Sequence, residues 1–276
     1  AAHAQPLIGA EFRAPDFAGN AQIFDVSTTT GAATNGRATG ADVISGLAWD
    51  GSTLFGITDA FGIVNGDAAP GGLFTIDPVS GGTTLVGNVG EPGGFLAAEG
   101  EIDFNPLTGT LVGSTTNNGQ TAIFDIHPTT GTASNVRTVS GVSDLSAFAF
   151  DATGTLWGLD TSFTFGPDRP AAQLLTIDPA TGDVLTSQST DQVLGVVAGM
   201  DFNPITGELF VADGDTQGTN NLYTLDTNSA SFSLVGATDL PAPFGLSGLS
   251  AVQFIPAPGA SAVLTIAGIG AARRRR

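Results

Sequence analysis

The chain has 276 residues, no cysteine and a formal net charge of −18 at pH 7. The absence of cysteine excludes disulfides, thiolate metal sites and thiol nucleophiles. Lysine is also absent, and four of the eight basic residues are the arginines at 273–276, so the rest of the chain carries four arginines against 26 acids. Because nucleic-acid binding depends on clustered cations, nucleic acid is not an expected partner.

The chain begins with AAHAQ at residues 1–5. Small residues at a spacing of two are typical of the site that signal peptidase cleaves. We therefore interpret residues 1–5 as the remnant of a secretory signal peptide or as a loose N-terminus, and residues 6–255 as the folded domain.

A repeated sequence unit organises that domain. Its clearest copy is LFTIDPVSGGTTLVG at residues 73–87, and altered copies begin at residues 23, 123, 174 and 222. One column of the repeat contains Ser27, Asp77, His127, Asp178 and Asp226. A fixed period of about 50 residues is typical of a solenoid or a propeller.

Each copy predicts a β-hairpin. An alternating apolar and polar run leads into Asp-Pro-x-Thr-Gly, in which proline presets φ, aspartate caps the backbone and glycine takes a positive φ. A second hairpin precedes this one at residues 46–56, 102–112, 148–157 and 200–210. These hairpins share an aromatic column of Trp49, Phe104, Phe150 and Phe202. Two hairpins supply four strands, which make one propeller blade.

We predict an all-β fold, namely a five-bladed β-propeller with four-stranded antiparallel blades. The complete blades are residues 43–90, 95–141, 142–190 and 194–240. The fifth blade is split between residues 246–255, which contain its first strand at 249–254, and residues 7–39, which supply its other three strands. Pairing of the two parts closes the ring and removes the exposed sheet edges. An open β-sandwich is the alternative, and the split repeat argues against it.

The loops between the second and third strands of each blade are long and differ from blade to blade, at residues 58–72, 115–121, 160–173 and 213–221. In a propeller these loops share one face with the connections between blades, and variable loops on a fixed scaffold are where binding usually occurs. We therefore expect a ligand on that face. The aromatic residues of that face that could contact a ligand are Phe61, Phe163 and Phe165. Three acids, Asp59, Asp67 and Asp160, are predicted on the same face.

Histidine chemistry is not expected, because His3 lies in the terminal stretch and His127 occupies the turn column of the repeat. Carboxylates are the remaining candidates for catalysis. Glu99, Glu101 and Asp103 lie at the start of a first strand, where the residues that match Glu101 are small, namely Gly46, Ala147, Gly199 and Ala251. Alternate residues of a strand point the same way, so all three acids could share one face. They could form a cation site or an acid–base pair at the channel mouth, or only a solvated rim.

A second candidate site is the loop DGDTQGTNN at residues 213–221. Asp213, Asp215, Asn220 and Asn221 offer the hard oxygen ligands that Ca²⁺ prefers. The loop lacks the spacing and the terminal glutamate of an EF-hand, and an ordinary Asp/Asn/Gly turn is the alternative. Calcium is the only cofactor that the sequence suggests.

The last stretch, residues 256–276, contains Pro256-Ala-Pro-Gly, an apolar run at 260–272 and four arginines. This order resembles the PEP-CTERM sorting signal that exosortase-type enzymes process, with alanine in place of the central glutamate. The resemblance implies export, transient membrane contact and display on the cell surface. The positive-inside rule agrees, because it would retain the arginines in the cytoplasm. As a helix the apolar run spans about 20 Å, less than a bilayer core. The alternative is a strand or helix packed on the propeller.

The blades also resemble secreted bacterial propellers whose repeats read Leu-Tyr-x-Ile-Asp-Pro-x-Thr-Gly. We therefore expect a non-catalytic, exported cell-surface or extracellular-matrix propeller that acts as a scaffold, an adhesion module or a self-assembling module. Its partner would be an extracellular polysaccharide, a protein or a second copy of the chain. One alternative is a secreted carbohydrate-active enzyme that uses carboxylates at the channel mouth. Another is a calcium-stabilised glycan-binding module.

Overall fold

The computed structural model describes residues 7–14, 19–92, 100–117, 119–162, 170–194, 197–214, 220–240 and 245–250. Regular secondary structure within these ranges consists of 22 β-strands. The described residues include no helix that could cross a bilayer. The stretch at 256–276, with its apolar run and arginines, lies outside the described residues.

The strands fall into five four-stranded sheets and one small hairpin. The chain starts with β1 (Leu7–Glu11), β2 (Gln22–Val26) and β3 (Ala33–Ala38). Blade 1 comprises β4 (Gly46–Trp49), β5 (Leu54–Ile57), β8 (Gly72–Ile76) and β9 (Thr83–Asn88), with a hairpin of β6 (Ile63–Val64) and β7 (Asp67–Ala68) in its central loop. Blade 2 comprises β10 (Ile102–Phe104), β11 (Leu111–Asn117), β12 (Gln120–Ile126) and β13 (Ala133–Val139).

The second half of the chain repeats this plan. Blade 3 comprises β14 (Leu145–Phe150), β15 (Leu156–Asp160), β16 (Gln173–Ile177) and β17 (Val184–Ser189). Blade 4 comprises β18 (Val197–Phe202), β19 (Leu209–Gly214), β20 (Asn221–Asp226) and β21 (Ser231–Ala237). The last described strand is β22 (Leu246–Ser250).

The fifth sheet is the split blade, and it closes the ring as predicted. Its strand order is β22-β1-β2-β3, with Ile8 opposite Ser250 and Gly9 opposite Leu249. The first strands of neighbouring sheets contact one another in a closed circle that runs β22, β4, β10, β14, β18 and back to β22. These five inner strands therefore surround the axis, and the five-bladed propeller is confirmed.

Burial falls from the axis outward. Phe74, Phe124, Phe148 and Phe210, one in each complete blade, are fully buried. The outermost strands are mostly polar and exposed, as in β17, where every residue after Val184 is exposed. Apolar residues thus fill the space between neighbouring blades, and burying them stabilises the ring at roughly 25 cal/mol per Å².

The turn between the third and fourth strands explains the repeated Thr-Gly. Gly131 has a φ of 74°, and its N–H donates to the carbonyl of His127 at 2.8 Å. A Cβ added to Gly131 would lie 2.7 Å from the carbonyl carbon of Gly87 in blade 1, so the position needs glycine for two reasons. Ala230 takes the same place in blade 4 with a φ of 53°. His127 is a turn residue, with Nδ1 3.0 Å from the Thr129 hydroxyl.

Candidate functional site

The inner strands come closest together at one ring of small residues. A Cβ added to Gly199 would lie 2.8 Å from the carbonyl carbon of Gly248, and one added to Gly248 would lie 3.0 Å from the Leu47 nitrogen. Likewise, a Cβ on Gly46 would lie 2.8 Å from the Glu101 Cα. These close contacts explain why most residues aligned with Glu101 are glycine or alanine. They also correct the predicted alignment of the split blade, because Gly248 rather than Ala251 lies beside Gly46 and Gly199.

The correction arises from the last strand, which begins earlier than the sequence pattern suggested. We expected a first strand at residues 249–254, whereas β22 runs from Leu246 to Ser250. Residues from Ala251 onward lie outside the described residues. Gly248 precedes the apolar run at 249–254, and its lack of a side chain allows the close approach.

Glu101 is the exception in this ring. Its Oε1 accepts hydrogen bonds from the backbone nitrogens of Leu47 at 3.0 Å and Ile102 at 3.2 Å. That oxygen lies 2.5 Å from the position of a Cβ on Gly46, so the absence of a side chain there makes room for the carboxyl group. Glu101 is only 1% exposed, and its Oε2 has no hydrogen-bond partner.

Burial is the main reason why the pKa of Glu101 lies well above its usual value. The two N–H bonds lower that pKa, and the charges of Asp103 and Asp201 raise it. A carboxyl group in such surroundings keeps its proton to a higher pH, because the charged form loses its hydration.

Asp103 and Asp201 lie further along their inner strands. Asp103 accepts N–H bonds from Phe104 through Oδ1 and from Phe150 through Oδ2, both at 2.7 Å, and Asp201 accepts one from Phe202 at 2.7 Å. An inner strand is the edge of its sheet, where some backbone N–H groups have no partner strand. The carboxylates supply acceptors for these groups.

The expectation that Glu101 and Asp103 share one face is wrong for their carboxyl groups. Glu101 reaches Leu47 in blade 1, whereas Asp103 reaches Phe150 in blade 3. Each carboxyl group accepts an N–H group from the neighbouring blade on its own side, and Glu101 lies just before β10, so strand alternation does not govern its direction. Glu99 lies outside the described residues.

Asp103 and Asp201 influence each other's protonation. The pKa of Asp103 lies well above its usual value, chiefly because the carboxyl is desolvated and then because Asp201 is negative. The N–H bonds from Phe150 and Phe104 oppose this rise. Two interacting carboxyls of this kind release their protons in separate steps, so the pair retains a proton above the ordinary carboxyl range.

Sequence reasoning missed Asp201, although the signal was present. Blades 2 and 4 both contain Asp-Phe-Asn-Pro at the end of the inner strand, starting at Asp103 and Asp201. Blades 1 and 3 have Ala48 and Ala149 in that column. Comparing the columns for charge, as well as for the aromatic that follows, would have paired the two aspartates.

A cavity of about 610 Å³ opens beside these carboxylates, and we call it the axial pocket. The turns between the first and second strands of blades 1 to 4 supply most of its wall. Its acids are Asp50, Asp103, Asp151 and Asp201, and its aromatic residues are Trp49, Phe104, Phe150 and Phe202. No basic residue lines it within the described part of the chain.

The axial pocket lies on the face opposite to the one that loop length predicted. The long loops between second and third strands contain residues outside the described ranges, at 118, 163–169 and 215–219, and Phe163 and Phe165 are among them. Phe61 lies on that face and is 80% exposed. Asp59 accepts the N–H of Phe61, Asp160 accepts that of Ser162, and Asp67 is exposed on β7.

The calcium candidates are only partly brought together. Asp213, near the end of β19, is 8% exposed, and Asn220, just before β20, is 2% exposed. The Asn221 amide donates to the Tyr223 hydroxyl at 3.2 Å, and Asp215 lies outside the described residues. Across the described ranges, no group of three or more His, Asp or Glu side chains is arranged to hold a metal ion.

Comparison with solved structures shows a similarity of fold. A GH43 glycoside hydrolase engineered for endo-xylanase and exo-arabinofuranosidase activity matches with a TM-score of 0.51 and 12% identity, over 71% of this chain and 41% of the hydrolase. A GH43_1 enzyme from Xanthomonas citri in complex with xylose matches at 0.49 and 13%, over 70% and 73%. TolB from Acinetobacter baumannii matches at 0.47 and 12%, over 85% and 54%.

A comparison with curated proteins finds no match. One family of repeats does match, over residues 52–245, and its description is a repeat of unknown function. The matched region begins in blade 1 and ends just before β22, so it contains most of the axial pocket. The chain belongs to this repeat family, DUF6923.

Proposed function

We propose that this protein is an exported, non-catalytic propeller that binds carbohydrate in its axial pocket. The observation that carries the proposal is the wall of that pocket, where carboxylates and aromatic side chains meet in one cavity of about 610 Å³. Small-ligand pockets generally occupy about 300–1,000 Å³ and combine apolar walls with a few polar groups. A short saccharide fits this size and chemistry.

A sugar ring has apolar C–H faces and a rim of hydroxyl groups. Trp49 and Phe104 line the pocket and are half-buried, so their rings offer apolar surface for the C–H faces. Ionised carboxylates accept hydrogen bonds from hydroxyl groups, and such bonds are shorter and stronger than neutral ones. The Asp103–Asp201 pair retains one proton, so it supplies one ionised acceptor from the wall of the pocket.

Export is the part of the proposal that rests on the sequence. Residues 256–276 have the proline-rich, apolar and arginine segments of a sorting signal, and the body of the chain is strongly acidic. An acidic surface of this kind stays soluble and repels other acidic molecules. Neutral or amino-containing polysaccharides of the cell surface are therefore the proposed partners, with self-association as a further mode of assembly.

The test is binding to a panel of soluble polysaccharides and oligosaccharides, measured by calorimetry. The variant Trp49→Ala should weaken binding about tenfold or more, the equivalent of about 1.4 kcal/mol. The matched control is Phe61→Ala, which removes an exposed aromatic side chain from the opposite face. Phe61→Ala should keep the melting temperature of the unmodified protein, whereas Trp49→Ala should lower it because Trp49 packs against the core, so binding is measured well below both melting temperatures.

Two outcomes would reject this assignment. Loss of binding in Phe61→Ala with full binding in Trp49→Ala would place the ligand on the long-loop face. A panel to which the unmodified protein shows no binding would remove the carbohydrate function altogether.

The interaction between Asp103 and Asp201 favours a second candidate function, a carbohydrate-active hydrolase. Glycosidases use two carboxyl groups with different protonation, one as the acid and one as the base or nucleophile. A carboxyl pair that retains a proton above the usual range can divide these roles. In this case Asp201→Asn should reduce turnover of a susceptible polysaccharide by about 10²–10⁴-fold, the usual contribution of a general acid or base. Binding without turnover in the unmodified protein would leave only the first function.

A further inference from the structure

The axial pocket has negative charge that no described residue of its wall balances. Its four acids come from blades 1 to 4, and no basic residue lines it within the described ranges. The three arginines in the described part of the chain pair with other acids, namely Arg13 with Asp59 at 3.9 Å, and Arg37 with Asp25 and Arg137 with Asp125, both at 2.8 Å. A positively charged ligand would therefore meet complementary charge in this pocket.

Asp103 and Asp201 concentrate this negative charge in one part of the wall. They hold equivalent positions in blades 2 and 4, and blade 3, which lies between them in the ring, has only the methyl group of Ala149 there. Desolvation, and then the charge of Asp201, raises the pKa of Asp103. A cation held against both carboxyls would remove their mutual repulsion and displace the proton that they share. The other titratable groups around the pair are also carboxyls, namely Glu101, Asp50 and Asp151.

Each complete blade also places one aromatic residue next to one aspartate in the wall of the pocket. The pairs are Trp49–Asp50, Asp103–Phe104, Phe150–Asp151 and Asp201–Phe202. Trp49 and Phe104 are half-buried, so their rings have surface left for a ligand. Aromatic faces attract cations as well as apolar groups. The wall therefore fits an organic cation in which an ammonium group is attached to a ring with apolar faces.

We propose that the axial pocket binds an amino sugar whose ammonium group lies between Asp103 and Asp201 and whose ring lies against Trp49. This inference rests on the proposed carbohydrate function and narrows it to saccharides that have free amino groups. The ammonium N–H groups donate charge-assisted hydrogen bonds to the two carboxylates. The N-acetylated form of the same sugar has no charge, so it leaves the shared proton in place.

The experiment compares two trisaccharides that differ only in this charge, a glucosamine trimer and an N-acetylglucosamine trimer. Binding to the full chain is measured by calorimetry at mildly acidic pH, where the amino groups are protonated. Salt at about 0.15 M screens the attraction of the general acidic surface beyond about 8 Å. The glucosamine trimer should bind one site per chain and at least about tenfold more tightly than the N-acetylated trimer.

Asp201→Asn removes one charge of the pair and keeps an acceptor for the Phe202 N–H. This variant should bind the glucosamine trimer about tenfold more weakly, whereas its affinity for the N-acetylated trimer should change by less than about twofold. The matched control is Asp67→Asn, which removes one charge from an exposed acid on the opposite face. Its affinity for both trimers should equal that of the unmodified protein.

Proton release provides a second readout, which needs no variant. Calorimetry of the unmodified protein in buffers with different heats of ionisation counts the protons that leave on binding. The glucosamine trimer should release the proton shared by Asp103 and Asp201, and the N-acetylated trimer should release none.

The possible failures are distinguishable. Equal affinity for the two trimers would overturn the amino-sugar inference and leave the carbohydrate function in place, whereas a lack of binding to every saccharide tested would reject both. A preference for the glucosamine trimer that persists in Asp201→Asn, or that is lost in Asp67→Asn, would overturn the inference by assigning the attraction to the acidic surface as a whole.

Discussion

Blades 2 and 4 differ from blades 1 and 3 at one position of the inner strand. The first pair has Asp103 and Asp201, and the second pair has Ala48 and Ala149. All four residues lie on equivalent strands of the same ring, so the scaffold does not require a carboxylate there. The repeat therefore builds the propeller and the aromatic wall of the axial pocket, whereas Asp103 and Asp201, which depart from the repeat, add the carboxyl groups.

The largest loss of stability is expected at Gly46, where the inner strands of blades 1 and 2 are in backbone contact. Gly46→Ala places a Cβ 2.5 Å from Glu101 Oε1 and 2.8 Å from the Glu101 Cα, and the backbone cannot move without shifting the ring. We expect a loss of about 1–3 kcal/mol in the free energy of unfolding. Denaturant unfolding of the variant and of the unmodified protein measures this loss.

Ala147→Gly is the matched control in the same column of blade 3. It removes a fully buried methyl group, so it should cost about 0.5–1 kcal/mol through chain entropy and about 0.8 kcal/mol through lost burial, without any backbone clash. A Gly46→Ala variant as stable as the unmodified protein would show that the inner ring is less tightly packed than described.

Glu101 provides the next test, because blade 2 has a carboxyl group where blade 4 has Gly199. Glu101→Ala leaves the N–H groups of Leu47 and Ile102 without their acceptor, which should cost about 1–3 kcal/mol. Glu101→Gln keeps an acceptor oxygen and should be nearly neutral, because the buried carboxyl already favours its uncharged form. Thermal unfolding of both variants distinguishes the roles, and a glutamine variant as unstable as the alanine variant would indicate that the charge itself stabilises the ring.

The smallest expected effect is on the pH dependence of the free energy of unfolding. Because the pKa of Asp103 is raised in the folded protein, the folded state binds more protons than the unfolded state above the ordinary carboxyl range. Stability from this pair is therefore fully present below about pH 4 and is lost as pH rises through the raised pKa. Asp201→Asn keeps an acceptor for the Phe202 N–H and removes the charge, so unfolding measured between about pH 4 and pH 8 should show a flatter decline.

Asp103→Asn is the informative contrast. Both oxygens of Asp103 accept N–H groups, and an amide can supply only one acceptor. This variant should therefore lose stability at every pH, whereas Asp201→Asn should gain some near neutrality. Identical pH profiles for the two variants would contradict the hydrogen-bond assignment.

The fold was predictable from the sequence because its signals are local and repeated. Asp-Pro-x-Thr-Gly marks a turn wherever it occurs, and the split repeat implies a closed ring. The axial pocket was not predictable in the same way, because Asp103 obtains its Oδ2 partner from Phe150, 47 residues away in another blade. The close approach at Gly248 is likewise a property of the assembled ring.

The loop at residues 213–221 shows a second limit of sequence reasoning. Its composition suggested calcium ligands, which stays a prediction. Composition could not show that the Asn220 amide nitrogen donates to the carbonyl of Leu240, or that Gly245 packs closely against the Asn220 amide oxygen. Those contacts join segments that are about 20 residues apart or more, and only the folded blade brings them together.

The central claim is that Asp103 and Asp201 form one interacting pair in the wall of the axial pocket. The most direct measurement is a carbon-13 NMR titration of the aspartate side-chain carboxyls in the unmodified protein and in Asp201→Asn. We predict that the Asp103 carboxyl titrates well above the usual range in the unmodified protein and moves back toward it in the variant. Titration of Asp103 in the ordinary range, or an unchanged midpoint in Asp201→Asn, would contradict the account.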